Sequence, residues 1–281
     1  MHDGVVLEAV RRQLSRGLFG MVIGPEGEKH AQRIHGSPGP RLFAEDRPVR
    51  HVHADNAMFI GGLRALLLQS LHPLAMAAVA QHSDYKTDPW GRLQRTSLFV
   101  GVTTYGTAED AQAAVARLAR IHAHIHGVAS DGRPYRADDP HLLAWVHVAE
   151  VDSFLRCHQR YGEKPLDDYD GYVADMAVLA EEMGIPDPPR TVRELEARID
   201  GFRAELRGTP EAREAARFLL LRAPLPMLAR APYAILSATA VASLPVWARV
   251  PLRLPYLPIA EATGVRFAGH ALMRGLRWVT G

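Results

Sequence analysis

Two histidines in one helical segment are the residues of this chain best suited to chemistry. His122 and His126 lie four residues apart in the run Arg120-Ile-His-Ala-His-Ile-His-Gly127. On one α-helix, this spacing places both imidazoles on the same face. Because a neutral imidazole is a common metal ligand, the pair suggests a haem or metal site. The alternative is a histidine-rich helix end, where partial positive charge complements the helix dipole.

A second group of polar residues interrupts otherwise apolar segments. Arg64 lies in a leucine-rich stretch, His72 precedes Pro73 on the same stretch, and His147 lies in Ala144-Trp-Val-His-Val148. Buried polar groups cost free energy unless they are paired, so each of these residues needs a partner or a functional pocket. The alternatives are an ion pair across the helices for Arg64, a helix end for His72 and a hydrogen-bonded core histidine for His147.

A third polar set has helical spacing. Arg92, Arg95 and Thr96 follow the i, i+3, i+4 pattern and therefore project from one helix face. Alone, they could equally form a solvated helix start. Together with the histidines they predict a polar pocket in a helical bundle, where an imidazole binds iron and arginines pair with carboxylates such as haem propionates.

Composition and missing motifs exclude several classes of function. The 33 basic and 31 acidic residues give a net charge of +2, without a basic stripe and interleaved aromatics, so nucleic acid is not an expected partner. There is no His-Glu-x-x-His zinc motif, P-loop, dinucleotide-binding glycine motif or Gly-x-Ser-x-Gly element. The single cysteine, Cys157, excludes an internal disulfide, and the sequence has no recognisable export signal, so a cytoplasmic location is expected.

The elements that must position these residues are predicted to be almost all helical. The 281-residue chain is expected to form one all-α domain, 1–281, whose core is the bundle of helices between 56 and 184. A helix over 56–81 is expected to kink or divide at Pro73. Further helices are expected over 91–105, from the N-cap Thr107 to near Gly127, over 140–161 behind Asp138 or Asp139, from the N-cap Asp167 to 184, from the N-cap Thr191 to 206, and over 210–223.

The last part of the chain is rich in proline. Short broken helices are therefore expected there, and no strand is expected anywhere. Its most apolar stretch, 231–248, is about long enough to span a bilayer but contains Pro232 and Pro245. A buried helix is the prediction for this stretch, with peripheral membrane contact as the alternative.

Four ordered motifs resemble the rubber-oxygenase catalytic domain family. They are Gly61-Gly-Leu-Arg-Ala-Leu-Leu-Leu-Gln-Ser-Leu-His-Pro73, Asp88-Pro-Trp-Gly-Arg-Leu-Gln-Arg-Thr96, His122-Ala-His-Ile-His-Gly127 and Leu142-Leu-Ala-Trp-Val-His-Val148. This family includes the bacterial latex-clearing proteins and the membrane-bound fungal oxygenase of mycophenolic acid biosynthesis. The resemblance extends over about 40–255. It implies an all-α fold, related to the globin-like core of the latex-clearing proteins, that holds a b-type haem.

The resemblance also implies roles for individual residues. His122 matches the proximal iron ligand, with His126 as a competing ligand or a neighbour of the propionates. Arg95-Thr96 matches the distal position that a lysine next to a threonine can fill in latex-clearing proteins. Because arginine does not deprotonate, this position is expected to be left to water, dioxygen or substrate. Arg92 matches a nearby arginine of the family.

The expected function is that of a haem-b-dependent oxygenase or oxidase that uses dioxygen. The chain is shorter than the secreted polymer-cleaving members, so its expected substrate is small and either largely apolar or a natural product. Two alternatives stay open, namely a haem-binding or haem-sensing protein without turnover, and a metal-free helical ligand-binding protein that contacts a membrane. Hydrogen bonding to bound oxygen and proton transfer are expected of Arg95, Thr96 and His147, and support of the cofactor is expected of Arg64, His72 and Arg92.

Overall fold

Helix-capping and proline signals in the sequence divide the chain into its elements. The computed structural model describes residues 2–281, with the side chains of residue 8 and of 11–281. The first helices are α1 (His2–Ile23), α2 (Gly27–Gly36) and α3 (Pro48–Ala54). They form an outer layer, in which α1 and α2 pack on α6 (Pro89–Tyr105) and α3 packs on α9 (Asp170–Glu182).

Pro73 divides the expected helix over 56–81 in two. The first half is α4 (Ala57–Gln69) and the second is α5 (Pro73–His82), and the two are bent by 106°. Proline begins α5 because the first helical position has no intrahelical use for an N–H group. The abrupt change of direction leaves His72 at the corner, as the N-cap residue of α5.

The helices on either side of residue 106 begin at side-chain caps. In α6 the carboxylate of Asp88 accepts a hydrogen bond from the Gly91 N–H at 2.9 Å. The next helix is α7 (Ala108–Ala123), whose cap Thr107 accepts from the Asp110 N–H at 3.0 Å, as its sequence predicts. Both bonds satisfy N–H groups that have no partner within the helix.

The predicted end of α7 near Gly127 is wrong, and so is the expectation that the chain contains no strand. The helix ends at Ala123, and the Ala137 N–H donates to the Ile125 carbonyl at 2.8 Å, which draws the chain into a hairpin. Strands β1 (His126–Val128) and β2 (Pro134–Arg136) pair antiparallel, with Gly127 opposite Tyr135. Asp131-Gly132 turns the chain back, with Gly132 at a φ of 86°. His126 therefore lies on a strand, and it does not share a helix face with His122.

The long helix α8 (Pro140–Tyr161) matches its prediction, and Asp139 rather than Asp138 is its cap. The Asp139 carboxylate accepts from the His141 N–H at 2.9 Å. The predicted cap of α9, Asp167, is wrong, since this helix begins at Asp170 and the Asp170 N–H donates to Asp168 at 3.0 Å. The next helices are α10 (Val192–Phe202), capped by Thr191, and α11 (Pro210–Arg217), which continues into a π-helical turn (Phe218–Arg222).

The C-terminal part is more regular than its prolines suggest. It contains α12 (Met227–Ser243), α13 (Val246–Leu252), α14 (Pro258–Ala260), a π-helical turn (Glu261–Val265) and α15 (Arg266–Thr280). Pro232 lies within the first two turns of α12, and Pro245 precedes α13 at a bend of 118°. The prediction of a buried helix over 231–248 is wrong for much of α12. Its buried residues fall near its end, at Ser237 and 239–241.

The core is centred on α4 and α8, which pack along each other. A methyl group on Gly61 would lie 2.6 Å from the Phe154 ring, so glycine permits this close approach. Towards the other end of this helix pair, Trp145 is fully buried and donates its indole N–H to the Gln69 carbonyl at 3.0 Å. The expected all-α domain is thereby confirmed. No single helix among residues 2–281 is long and apolar enough to cross a membrane, although the bent pairs α4–α5 and α12–α13 reach that length and composition together.

Candidate functional site

One face of α8 carries polar groups that point away from Trp145. Along this helix, His147, Glu150 and Phe154 recur at intervals of three and four residues and therefore share a face. A methyl group on Gly62 of α4 would touch the Phe154 ring at 4.0 Å, so the same side of α4 adjoins this face. Leu66 follows Gly62 by one turn and is 37% exposed within an otherwise buried helix. These residues form one wall of the candidate site.

His147 is a buried histidine without a hydrogen bond at Nε2. Its side chain is buried, and this nitrogen has no partner among the described residues. Burial alone lowers the pKa of His147 to about 4, so the imidazole is neutral at pH 7. The alternative of a fully hydrogen-bonded core histidine does not hold for Nε2. A buried nitrogen left unpaired in this way costs free energy unless a ligand engages it.

Glu150, one turn after His147, is a titratable group that the sequence prediction did not assign to the site. Burial raises the pKa of its carboxyl group to about 7. The side chain nevertheless keeps partial accessibility, as expected of a group that faces an internal space. Its neighbour Tyr172 has a pKa raised mainly by burial and further by the Glu150 charge. An acidic residue inside the apolar run of α8 was the available sequence signal.

His53 closes the inner end of the site. Its Nδ1 lies 2.8 Å from the Thr104 hydroxyl of α6, and its Nε2 lies 3.3 Å from the Tyr172 hydroxyl of α9. The ring also packs edge-on against Phe154, with centroids 5.5 Å apart. Burial lowers the pKa of His53 to about 3, so it is a neutral hydrogen-bonding group. His53 is not predictable from the sequence as a site residue because α3 carries no clear helical signal.

A second wall is formed by α6 and α7, which pack on each other, and α6 meets the α8 face at His53 through Thr104. Among the described residues, neither helix packs extensively on α4 or α8. Arg92, Thr96, Phe99 and Thr103 form one stripe of α6, and Thr103 at its inner end is buried whereas Thr96 is exposed. The stripe therefore runs from the interior to the protein surface at Thr96.

The two arginines of α6 have different environments. Arg92 is partly buried, donates to the Ser83 hydroxyl, and has its pKa lowered mainly by burial. Arg95 is 62% exposed and pairs with Asp88 at 3.2 Å on the outside of the helix. Thus Arg92 borders the site, whereas Arg95 in this arrangement is a surface residue.

His122 is the inward-facing histidine of its segment. It continues the inner stripe of α7 formed by Ala111, Val115 and Leu118 and is half-buried. Burial lowers its pKa, and the nearby Asp138 charge partly opposes this shift. His124 and His126 are exposed, so the structure separates His122 from the other histidines of the run.

Arg64 lies in the core with all three guanidinium nitrogens engaged by protein groups. It donates to Asp152 at 2.7 Å, to the Ser153 hydroxyl at 2.6 Å and to the Ser243 carbonyl at 3.0 Å. These bonds connect α4 with α8 and with the end of α12. Arg64 therefore forms an ion pair across the helices, which was the alternative considered for it from the sequence. None of its three guanidinium nitrogens is directed towards a ligand.

His72 lies on the other side of α8 from His147. Its ring packs near Trp145, with centroids 6.4 Å apart, and Nε2 lies 3.3 Å from the Glu205 carboxylate. His141 contacts the same carboxylate at 2.9 Å. His147 therefore lies on the α8 wall, and Arg92, Thr96 and His122 lie on stripes of α6 and α7, whereas His72, Arg64, Arg95 and His126 face other parts of the protein.

Comparison with known proteins supports an oxygenase assignment. Residues 50–278 match the family described as ER-bound oxygenase mpaB/B'/Rubber oxygenase, catalytic domain. No curated protein and no solved structure is significantly similar to the chain. The matched segment begins within α3 and ends within α15, so it contains both walls of the site. The match spans most of the chain and confirms the resemblance of the four motifs, and the chain therefore belongs to this oxygenase family, over its catalytic domain.

Proposed function

We propose that the chain is a haem-b-dependent oxygenase that acts with dioxygen on a small, largely apolar or natural-product substrate. The observation that carries this proposal is the position of His122, a half-buried imidazole on the inner stripe of α7. Its lowered pKa keeps a nitrogen lone pair free at neutral pH, as an iron ligand requires. The family membership supplies the oxygenase class.

The donor set of the site fits a haem. His122 offers a neutral imidazole, and His147 offers a second one whose Nε2 has no partner among the described residues. Leu66 supplies an apolar surface suited to a porphyrin face, and Arg92 supplies a cation for a propionate. When bound, the haem iron supplies the activation of dioxygen.

The other side chains have roles that their environments support. Glu150 holds a proton up to about pH 7 and is suited to pass it at its carboxyl oxygen, whereas the imidazole of His147 stays unprotonated. Thr96, at the exposed end of the α6 stripe, can donate a hydrogen bond from its hydroxyl group to a bound oxygen atom or substrate. The role expected of Arg95 would require this residue to leave Asp88 and turn inward.

Haem reconstitution tests the proposal. The full chain, mixed with haemin, is expected to develop a Soret band with one haem per chain in a pyridine haemochrome assay. His122→Ala should abolish the band, whereas His124→Ala and His126→Ala should retain it because both histidines are exposed. Absence of the band in the wild type, or an equal loss in the His124→Ala control, would overturn the proposal.

A haem protein without turnover is the second candidate function, and the free Nε2 of His147 favours it. If His122 and His147 both bound the iron, no position would be left for dioxygen. Electron paramagnetic resonance distinguishes the two candidates, because a bis-histidine low-spin signal that His147→Leu converts to high spin would support the sensing function. Oxygen consumption with a reductant and an apolar substrate would support the oxygenase.

We further propose that the C-terminal part contacts an anionic membrane surface, on its cytoplasmic side. Five large apolar side chains in neighbouring elements are between 71% and 89% exposed, namely Leu221, Met227, Leu228, Ile259 and Phe267. Residues 218–281 contain seven arginines but one acidic residue, Glu261, which Arg249 neutralises at 2.7 Å. Exposed apolar residues with surrounding arginines suit the interface of a bilayer with anionic headgroups.

Vesicle sedimentation tests this contact. The chain is expected to bind phosphatidylglycerol vesicles more strongly than phosphatidylcholine vesicles, and Met227→Glu with Leu228→Glu should remove most of the binding. Val128→Glu, an exposed apolar position on β1, is the matched control. Equal binding by both variants would contradict the assignment, as would concentration-dependent self-association through the same residues without vesicle binding.

A further inference from the structure

Three potential metal ligands converge on the side of α8 that faces α10. They are His72 at the corner before α5, His141 in the first turn of α8, and Glu205 just after α10. One ligand atom from each lies within 4.8 Å of the other two. The carboxylate of Glu205 is 3.3 Å from His72 Nε2 and 2.9 Å from His141 Nε2. Residues remote in sequence thus present two imidazoles and one carboxylate to the same point.

The protein backbone holds this cluster in place. The Arg207 N–H donates to the Leu71 carbonyl at 2.8 Å, which ties the segment of Glu205 to the corner of His72. The His72 ring is 1% exposed and packs edge-on against Phe202, with centroids 6.5 Å apart. Its only hydrogen-bond partner within the described part of the chain is the Glu205 carboxylate, because Nδ1 has none. The buried ring is therefore aimed at the cluster.

The charge of the cluster is not balanced by an ordinary ion pair. Among the described side chains, Glu205 lies within ion-pair distance of His72 and His141 but of no lysine or arginine. Without a lysine or arginine partner, the carboxylate keeps a negative charge that a bound cation would neutralise.

We propose that His72, His141 and Glu205 bind one divalent transition metal of the zinc type. Two imidazoles with a carboxylate are a ligand set that Zn²⁺ takes in proteins, with an open fourth position. Zinc–nitrogen bonds of about 2.0–2.1 Å in a tetrahedron place ligand atoms about 3.3 Å apart. The imidazole–carboxylate separations of 3.3 Å and 2.9 Å are close to this value, and all three ligand atoms lie within 4.8 Å of one another.

The cluster borders a groove. His141, Phe202 and Glu205 line one end of this groove, whose volume is about 730 Å³ and whose far side is the connector around Pro188 and Pro189. Water or a small anionic group entering the groove would complete the coordination. The site lies across α8 from His147 and is independent of the proposed haem.

Metal binding would add a direct link between three elements that already pack on one another. It would fix the segment after α10 to the start of α8 and to the corner before α5. Because the unfolded chain does not preform the ligand set, binding stabilises the folded state by mass action. A rise of the unfolding temperature with zinc concentration is the expected consequence.

Calorimetric titration of the chelator-treated full chain with ZnCl₂ tests the proposal. One Zn²⁺ per chain is expected, and His141→Gln and Glu205→Gln should each weaken binding at least about tenfold, since each removes one of the three ligands. Both positions are more exposed than His72, so these variants are expected to fold, which circular dichroism would verify. His124→Gln, an exposed histidine outside the cluster, is the control.

Zinc binding that is lost in both cluster variants and kept in His124→Gln supports the site. No zinc uptake by the wild type, or uptake that His141→Gln with Glu205→Gln leaves unchanged, would overturn it. Soret spectra of the same variants are expected to match the wild type, so a failure of the zinc site is distinguishable from a failure of haem binding.

Discussion

His147 and Glu150, one turn apart on α8, have the usual order of their acidities reversed. Burial lowers the pKa of the imidazole to about 4 and raises that of the carboxyl group to about 7. Between these values both side chains are uncharged, so the inner wall of the site carries no net charge from them. The carboxyl group, rather than the imidazole, therefore changes protonation near neutral pH and is the better proton carrier.

Glu150→Gln is expected to stabilise the chain at high pH. The unfolded chain loses this proton near its ordinary pKa of 4.5, whereas the folded chain keeps it to about 7. The folded state of the wild type therefore loses stability as the pH rises from 4.5 to about 7. Above this range, folding carries the full free-energy cost of ionising the buried Glu150 carboxyl group. Relative to its effect at about pH 4, the substitution should add about 3 kcal/mol of stability at about pH 8. Urea denaturation at both values measures the difference, and Glu45→Gln in an exposed loop should show none.

His147→Leu should have the opposite dependence on pH. The unfolded histidine binds a proton below its ordinary pKa of 6.5, whereas the folded one binds it only near 4. The wild type therefore loses stability as the pH falls from 6.5 to 4, and the leucine variant does not. Thermal unfolding followed by circular dichroism should show a relative gain for the variant at about pH 5. His126→Leu, at an exposed strand position, serves as the control, and an equal gain there would contradict the burial of His147.

Local signals in the sequence predicted several helix starts between residues 56 and 223. Caps at Thr107, Asp139 and Thr191 depend on hydrogen bonds between residues two or three apart, so the sequence alone contains the information. The end of α7 was mispredicted because Ile125 pairs with Ala137, across a hairpin. A hydrogen bond between residues this far apart in the sequence cannot be predicted from helical spacing.

The residues of the candidate site were also predicted only in part. The inward position of His122 follows from the apolar stripe of α7, and the motifs point to the same residue. His53, by contrast, joins the site through Thr104 and Tyr172, which come from two other helices. The environment of Arg95 depends on Asp88, which turns this arginine away from Arg92 although both lie near one face. Such contacts arise only when the helices are packed.

Arg64→Ala is expected to destabilise the chain strongly without acting on the cofactor directly. Removing this guanidinium deprives buried Asp152 of its 2.7 Å partner but leaves it paired with Arg156 at 3.2 Å, so we expect a cost of about 3 kcal/mol, at the low end for a broken buried ion pair. Urea denaturation measures the loss. Arg95→Ala, whose partner Asp88 is exposed, should cost less than about 1 kcal/mol. If Arg64→Ala instead kept its stability and lost haem uptake, the arginine would belong to the cofactor site.

Gly61→Ala should separate α4 from α8. The added methyl group would lie 2.6 Å from the Phe154 ring, 3.2 Å from the Phe154 Cα atom and 3.3 Å from the Ser153 carbonyl oxygen. The ring can rotate away, but the two backbone atoms can yield only if the helices move apart. Overpacking of this kind costs about 1–3 kcal/mol. Thermal unfolding should therefore show a lower midpoint for this variant.

Gly62→Ala, the neighbouring substitution, should have the opposite effect. Its methyl group would meet only the edge of the Phe154 ring, at an ordinary contact distance of 4.0 Å. Alanine gains up to about 1 kcal/mol over glycine in a helix interior, so the midpoint should stay the same or rise. The two variants carry the same glycine-to-alanine substitution at adjacent positions of α4. They differ in the helix face on which the added methyl group lies. Equal destabilisation by both would contradict the close approach of α4 and α8 at Gly61, whereas a loss confined to Gly61→Ala would support it.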